Sequence, residues 1–312
     1  MRESELLSHI FESIPKARKP VIVGPGDDLA QLEIAGSDIL IGVDQVIAGQ
    51  HVDVTKVAPE LVGRKAVCRC LSDVAAMGAV PVAAVATVAI PAQDPIIDGP
   101  WVQQLSDAMH ATGQSYACPI VGGDVALVPS HNQSLVITVT IIATSKDGRV
   151  LLRSHAKVGD GVFVTGTLGR TLDPDGHGHH LHFVPRIEVA QKLKLTLGTD
   201  LHAMIDISDG LARDAGHVAA ASKVGIEVDG QMIPRRKGAS LDQALGDGED
   251  YELCFTACSE VSEIDGLPVA RVGRVVEAAR QGPCRVVLLD GARSRCVDKL
   301  GFEHSSEVTD AS

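Results

Sequence analysis

The sequence predicts a mixed α and β protein folded as two halves of similar size. Three observations carry that prediction. Short apolar runs alternate with helix-spaced stretches along the chain. The alternation pauses at one polar turn, Lys146-Asp147-Gly148-Arg149. The length of 312 residues suits two domains of ordinary size. The boundary is placed at that turn, giving segments 1–148 and 149–312. With 45 % hydrophobic residues there is enough apolar material for packed cores, which excludes global disorder.

Taken in order, residues 1–20 mix charges into a helix-like pattern. Residues 20–23 and 39–43 are short apolar runs bounded by Gly and Asp, and read as strands. Leu61, Val62, Ala66, Cys70 and Val74 fall at near-helical spacing, which predicts a helix over 59–76, ended by Met77-Gly78-Ala79 before Pro81. The β-branched run 82–90 predicts a buried strand, 101–112 a second helix, 119–121 a strand stopped by Gly122-Gly123, and 135–143 the last strand of this half. In the second half the strands fall at 161–165, 204–207, 225–228 and 252–256, with helices at 186–197 and 211–222. The stretch 173–183, with His177, His179, His180 and His182, reads as a mobile loop in preference to a transition-metal tract.

The charge and composition exclude several function classes. A formal net charge of −12 and 3 % aromatic residues argue against binding to nucleic acid or anionic lipid. An anionic ligand would therefore need cations to mediate. No apolar run reaches transmembrane length, and the N-terminus lacks the apolar core of a signal peptide, so the expected location is cytoplasmic. The seven cysteines are odd in number and contain no C-x-x-C pair, so buried free thiols are expected instead of a disulfide framework or zinc ribbon.

The informative pattern is the placement of aspartates. Asp28 follows the first strand through a Gly-Pro-Gly turn, and Asp44 follows the second. Asp73 lies in the first helix and Asp124 follows Gly122-Gly123. Asp206 and Asp209 flank Ser208 at the end of another strand. Loops at strand ends are where α/β proteins build ligand sites. Carboxylates gathered there would repel one another unless cations sat among them. Oxygen-only ligands select hard ions, above all Mg2+, which bridges carboxylates to phosphates and points to nucleotide-dependent phosphoryl transfer. Taken singly, each Asp reads better as a cap or turn residue, and only the whole set, placed this way, favours cations. No G-x-x-x-x-G-K-[ST], H-R-D or D-F-G motif is present, so P-loop and protein-kinase phosphate holders are excluded. Gly122-Gly123 suits either close approach of a phosphate or a tight turn. Arg153 suits either a phosphate or a surface ion pair.

The segments GPGDDLAQL (24–32), VDQVIAGQHV (43–52), GRKAVCRCLSDVAAMGAVP (63–81), IVGGD (120–124), LRSHAKVGDGVFVTGTLG (152–169), PR (185–186), AMIDISDGLARDAGHVAAAS (203–222) and GDGEDYELCFT (246–256) resemble the thiamine-monophosphate kinase family. That family belongs to the superfamily of aminoimidazole ribonucleotide synthetase and selenophosphate synthetase. The motifs run in the family's order over most of the chain.

The resemblance implies a two-domain aminoimidazole-ribonucleotide-synthetase-like fold of the α+β and α/β type. An N-terminal four-stranded sheet would form a shared barrel in a homodimer, followed by an α/β C-terminal domain. It implies ATP-dependent phosphorylation of thiamine monophosphate to thiamine diphosphate by direct in-line transfer, with ATP as co-substrate and Mg2+ as cofactor. Carried over by position, Asp28, Asp44, Asp73, Asp124, Asp206 and Asp209 resemble Mg2+ ligands. Gly123, Asp124, Arg153 and Ser208 resemble nucleotide contacts, and His51 and Glu249 substrate contacts. Asp44, Asp124, Arg153 and Asp209 would carry catalysis.

The chain departs from the family pattern at Gly42-Val43, where relatives usually carry two hydroxyls, and at Gln45 and Val125, where they carry Thr. It departs also at Leu105, where an aromatic often stands. These departures leave room for a different phosphorylated acceptor, or for a nucleotide-binding protein with impaired turnover.

Overall fold

A computed structural model describes residues 6, 9–10, 18–129, 133–278 and 284–303. Of the N-terminal stretch, residues 6, 9 and 10 are helical and the others up to 17 lie outside the described residues. The first half is one sheet with helices on one face. Its strands are β1 (Val21–Val23), β2 (Ala30–Ile34), β3 (Ser37–Ile47), β4 (Val80–Pro91), β5 (Ile120–Val128) and β6 (Val136–Thr144), in the order β1-β2-β3-β6-β4-β5. The four long strands form the sheet that the resemblance implies, and β1 and β2 widen it to six.

Helix α1 (Pro59–Ala76) spans the expected residues, with Pro59 in the first turn where a missing N–H costs nothing. Helix α2 (Gly99–Ser115) is capped by Asp98, whose side chain accepts from Trp101 N at 2.9 Å, and forms the crossover between the parallel strands β4 and β5. The two helices meet at Gly63, where a Cβ would stand 2.5 Å from Leu105 O.

Two strand expectations need correction. β5 runs through Gly122-Gly123 without stopping, so Asp124 lies inside a strand, as does Asp44 in β3. Glycine weakens a strand but does not end one when ladder bonds continue on the neighbour. Here β4 supplies them along the whole of β5.

The second half comprises β7 (Gly161–Thr165), α3 (His179–His182), α4 (Ile187–Leu197), β8 (Leu201–Asp206), α5 (Leu211–Ser222), β9 (Val224–Asp229), α6 (Leu241–Gly246), β10 (Leu253–Ala257), β11 (Glu263–Ile264), β12 (Leu267–Glu277), β13 (Val286–Asp290) and β14 (Arg293–Cys296). Its sheet order is β14-β13-β9-β12-β7-β10-β8, with β11 on β12. Among the described strands of this sheet only β9 and β13 pair in parallel, so this half is mixed and mostly antiparallel. β7 is buried at every residue because both faces are covered: Phe163 joins the core shared with α1 and α4, while Val162 and Val164 face α5.

The histidine-rich stretch is not a loose loop. His180 is 1 % exposed, its backbone N–H donates to Thr171 O, and α3 packs on α1. The cysteine expectation holds for Cys68, Cys70, Cys118 and Cys254, which are buried free thiols, while Cys258 is exposed and free. It fails for Cys284 and Cys296, which form a disulfide. The β13–β14 hairpin brings their Cα atoms to 5.8 Å, a pairing geometry that cysteine spacing does not reveal.

Candidate functional site

Helix α1 lies along the junction of the two halves and carries Lys65, Arg69, Ser72 and Asp73. Steps of four, three and one residues place these polar groups along one side of an otherwise buried helix. Of the four, sequence reasoning picked out only Asp73. The available signal was polar residues recurring at helical spacing inside a run of Val, Ala, Cys and Leu.

One end of this polar stripe meets three carboxylates. Oxygens of Asp28, Asp73 and Asp206 lie within 4.8 Å of one another. Asp28 comes from the turn after β1, Asp73 from α1, and Asp206 from the end of β8, so the site forms only when the halves pack together. Ser72 Oγ donates to Asp206 Oδ2 at 2.6 Å. Arg153, in the turn Arg153–His155, pairs with Asp28 through its guanidinium and donates its backbone N–H to Asp27 Oδ1 at 2.9 Å.

That single guanidinium does not balance the charge. Burial, reinforced by Asp44, Asp206 and Asp28, pushes the Asp73 carboxyl well above its ordinary range. Burial and the charge of Asp28 raise Asp206 to about 7, and burial raises Asp27 to about 6. A partly buried group of oxygen donors with uncompensated negative charge fits a hard divalent cation. Asp28, Asp73 and Asp206 are the residues that would hold it.

Further along the stripe, Arg69 contacts Asp44 through two nitrogens at 3.3 Å and lies 4.0 Å from Glu249. Lys65, wholly buried, sets its ammonium 2.6 Å from Glu249 Oε1, 2.6 Å from His51 O and 2.8 Å from His180 Nδ1. Burial alone would raise the Glu249 carboxyl, but His180, Lys65 and Arg69 hold it down at about 2. His51 and Glu249, singled out separately in the sequence, are thus joined through one lysine. His51 accepts from Ile47 N at Nδ1 and lines a cleft of about 320 Å³ with Asp44 and Arg69. The Glu249 loop is zipped to the Asp206–Asp209 loop, since Glu249 N donates to Ser208 O and Tyr251 N to Ile207 O. Glu249 and Tyr251 both adopt positive φ, 54° and 51°, a strained arrangement of the kind that clusters at functional sites.

Asp209 stands beside the first group, within 4.8 Å of Asp214 and His217. Asp214 accepts from the Asp209 and Gly210 N–H groups, which shapes the loop. Phe302, which sequence reasoning missed, is 44 % exposed and donates its backbone N–H to Asp209 O. An aromatic ring kept at the surface beside a carboxylate loop is a platform for a planar ligand. Its signal in the sequence is weak, because the one-residue clue falls outside any patterned segment.

Gly123 and Asp124 are not brought to these groups. Asp44, Val139, Ala86 and Gly123 form one row across β3, β6, β4 and β5. Asp124 therefore stands three strand spacings from Asp44, roughly 14 Å along the sheet. By strand alternation it faces the side away from α1. Gly123 is required by packing: a Cβ there would come 1.8 Å from Ala86 O. Together with Leu105, Met109 and Val125, Gly123 lines a largely apolar cleft of about 430 Å³ between α2 and β5.

Gly42 also has a packing reason, since a Cβ would meet Leu29 Cδ2 at 2.3 Å. Val43 is 61 % exposed.

The AIR synthase related protein N-terminal domain model matches residues 26–144, and the corresponding C-terminal domain model matches residues 150–282. Thiamine-monophosphate kinase of Rhodopirellula baltica is 35 % identical over 280 residues, covering 82 % of this chain and 84 % of that protein. The Escherichia coli protein of the same name is 34 % identical over 340 residues, covering 97 % and 98 %. Among solved structures, AaThiL complexed with AMPPCP and TMP superposes with a TM-score of 0.80 at 26 % identity, covering 97 % of each chain. Thiamine monophosphate kinase from Aquifex aeolicus superposes at 0.72 and 25 % identity, covering 93 % of this chain and all of the other.

Proposed function

The chain belongs to the thiamine-monophosphate kinase family of AIR synthase related proteins, and from that premise we propose that it transfers the γ-phosphoryl group of ATP to thiamine monophosphate, yielding ADP and thiamine diphosphate. The single observation that carries the reading is the meeting of Asp28, Asp73 and Asp206 at the junction of the halves. Incubation with ATP, Mg2+ and thiamine monophosphate is expected to yield both products. ADP release with other phosphorylated acceptors, and none with thiamine monophosphate, would reassign the substrate.

In this reading Asp28, Asp44, Asp73, Asp206 and Asp209 hold Mg2+ against the triphosphate, with Ser72 orienting Asp206. Mg2+ supplies charge neutralisation on the phosphates as the in-line displacement proceeds. No residue needs to deprotonate the acceptor, because its phosphate oxygen is already ionised near neutral pH. Arg153 can turn its planar fork from Asp28 toward a phosphate when a cation takes over that carboxylate. Ser208 faces the nucleotide on the same loop. His51, Asp44 and Arg69 line the acceptor cleft, and Glu249, fixed by Lys65, stands 4.0 Å from Arg69. The apolar cleft against Gly123 suits an adenine base.

The role carried over to Asp124 requires a second copy of the chain. β5 is an edge strand exposed along nearly its whole length, with Val121, Val125 and Leu127 each more than 60 % exposed. Val43 and Val85 are exposed on the same sheet. A long apolar edge of this kind is an aggregation hazard unless a partner covers it. A homodimer that joins these sheets covers it and lets Asp124 face a partner's site. Segments 1–148 and 149–312 then divide the work, the first binding ATP and Mg2+ and dimerising. Sedimentation is expected to give twice the 32.7 kDa chain mass. Leu127→Asp is expected to yield monomer; a monomeric wild type would remove Asp124 from the site. The expected setting of this enzyme is the cytoplasm, and no helix among the described residues is long and apolar enough to cross a membrane.

A further inference from the structure

A second cleft, of about 440 Å³, opens on the opposite side of the turn that carries Arg153. Arg149, Ser154, His155, Lys157, Thr199 and His202 contribute to its walls, and no carboxylate lines it. In a chain of net charge −12, Arg149 and Lys157 both face this cleft, while the nearby carboxylates Asp160 and Asp200 lie outside its walls.

The cleft is built by a fixed relay. His202, whose side chain is 9 % exposed, sets Nδ1 2.9 Å from both oxygens of Asp160, and its Nε2 lies 2.8 Å from Lys157 Nζ. An ionised carboxylate can only accept and an ammonium can only donate, so Nδ1 donates to Asp160 and Nε2 accepts from Lys157. One ammonium hydrogen of Lys157 is thereby committed to His202. The other two remain for a ligand. Arg149 is fixed by donating to Gly198 O and Leu201 O. Asp160 is spent on His202 and on the backbone N–H of Lys157, and nearby Asp200 on Ser259.

We propose that this cleft binds a phosphate-type oxyanion at a site separate from the carboxylate group that would hold Mg2+. Lys157 supplies the charge, and the His155 ring and the Ser154 and Thr199 hydroxyls supply further hydrogen bonds. Ser154 and His155 continue the turn begun by Arg153, so an anion seated here bears on the guanidinium that pairs with Asp28. The binding itself does not depend on the kinase reading.

The test is titration calorimetry on the full chain in EDTA, where the cation-free carboxylates repel phosphate from their own site. Inorganic phosphate and methyl phosphate are titrated separately. Saturable one-to-one binding of at least one of them is expected. Lys157→Gln is expected to weaken it by about tenfold or more, as loss of a charge-assisted hydrogen bond implies, and Lys157→Arg to retain it. Thr199→Asp, which adds a carboxylate at an exposed position, is expected to abolish it, and melting curves verify that each variant is folded. Tighter binding of methyl phosphate would mark an organic phosphate as the ligand, and tighter or equal binding of inorganic phosphate the free anion. Absence of saturable binding for both, or equal affinity in wild type and Lys157→Gln, would overturn the proposal.

Discussion

Asp73→Asn is expected to reduce turnover by roughly a thousandfold or more, as losing an ion that stabilises transferring phosphate charge would. The same change is expected to raise the melting temperature of the metal-free protein. The two effects have one cause. Asp73 is partly buried beside Asp28, Asp44 and Asp206, and its ionised form is disfavoured there. Asn keeps the shape and removes the charge. At about 2–4 °C per kcal/mol for domains of this size, relief of the repulsion is readable by calorimetry. The pH dependence has a definite sign. The raised carboxyls, Asp206 at about 7 and Asp27 at about 6, bind more protons folded than unfolded. Their contribution to stability is therefore complete below the ordinary carboxylate range and falls as pH rises toward 7. Mg2+ displaces those protons, so the melting-temperature gain it brings is expected to be larger at pH 8 than at pH 5. An equal gain at both values would contradict binding at these carboxylates.

Lys65→Met is expected to cost about 3 kcal/mol of stability, toward the low end for breaking a buried pair by removing one partner. Lys65 is fully buried, while Glu249 is 26 % exposed and keeps Arg69 4.0 Å away, which moderates the loss. The larger consequence is functional. Without the ammonium, His51 O and Glu249 lose their common anchor, and the walls of the acceptor cleft move independently. The KM for thiamine monophosphate is expected to rise by about tenfold, the equivalent of one lost charge-assisted hydrogen bond, with the KM for ATP little changed. Chemical denaturation and steady-state kinetics with each substrate varied in turn separate the two effects. An unchanged acceptor KM in a folded variant would remove Lys65 and Glu249 from the acceptor site.

The helix 59–76 was legible because apolar residues at helical spacing and an N-terminal proline agree on its start and length. The strands at 161–165 and 252–256 were legible as dense apolar runs. β2, with its mixed burial pattern, and β12 and β14, with Arg at exposed positions, carry too little contrast to read. The histidine stretch misled for the opposite reason. Its polarity suggests a loop, yet His180 is buried because Lys65 offers it a partner from 115 residues away. The disulfide was hidden likewise, since a hairpin and not the cysteine spacing brings Cys284 to Cys296.

From the sequence alone came the chemistry available to this protein. Carboxylates rather than thiols or histidines recur at its strand ends, and the surrounding motifs declare the family, because residue type and local spacing are properties of the chain itself. What only the tertiary structure decided is which of those groups meet. Asp28, Asp73 and Asp206 converge from a turn, a helix and a strand end across both halves, Lys65 joins His51 to Glu249, and Asp124 is left on a far edge strand. Side-chain convergence depends on how elements pack and register against one another over long chain separations. Strand alternation or a single added neighbour can move a residue to the opposite face without leaving any mark in the local sequence.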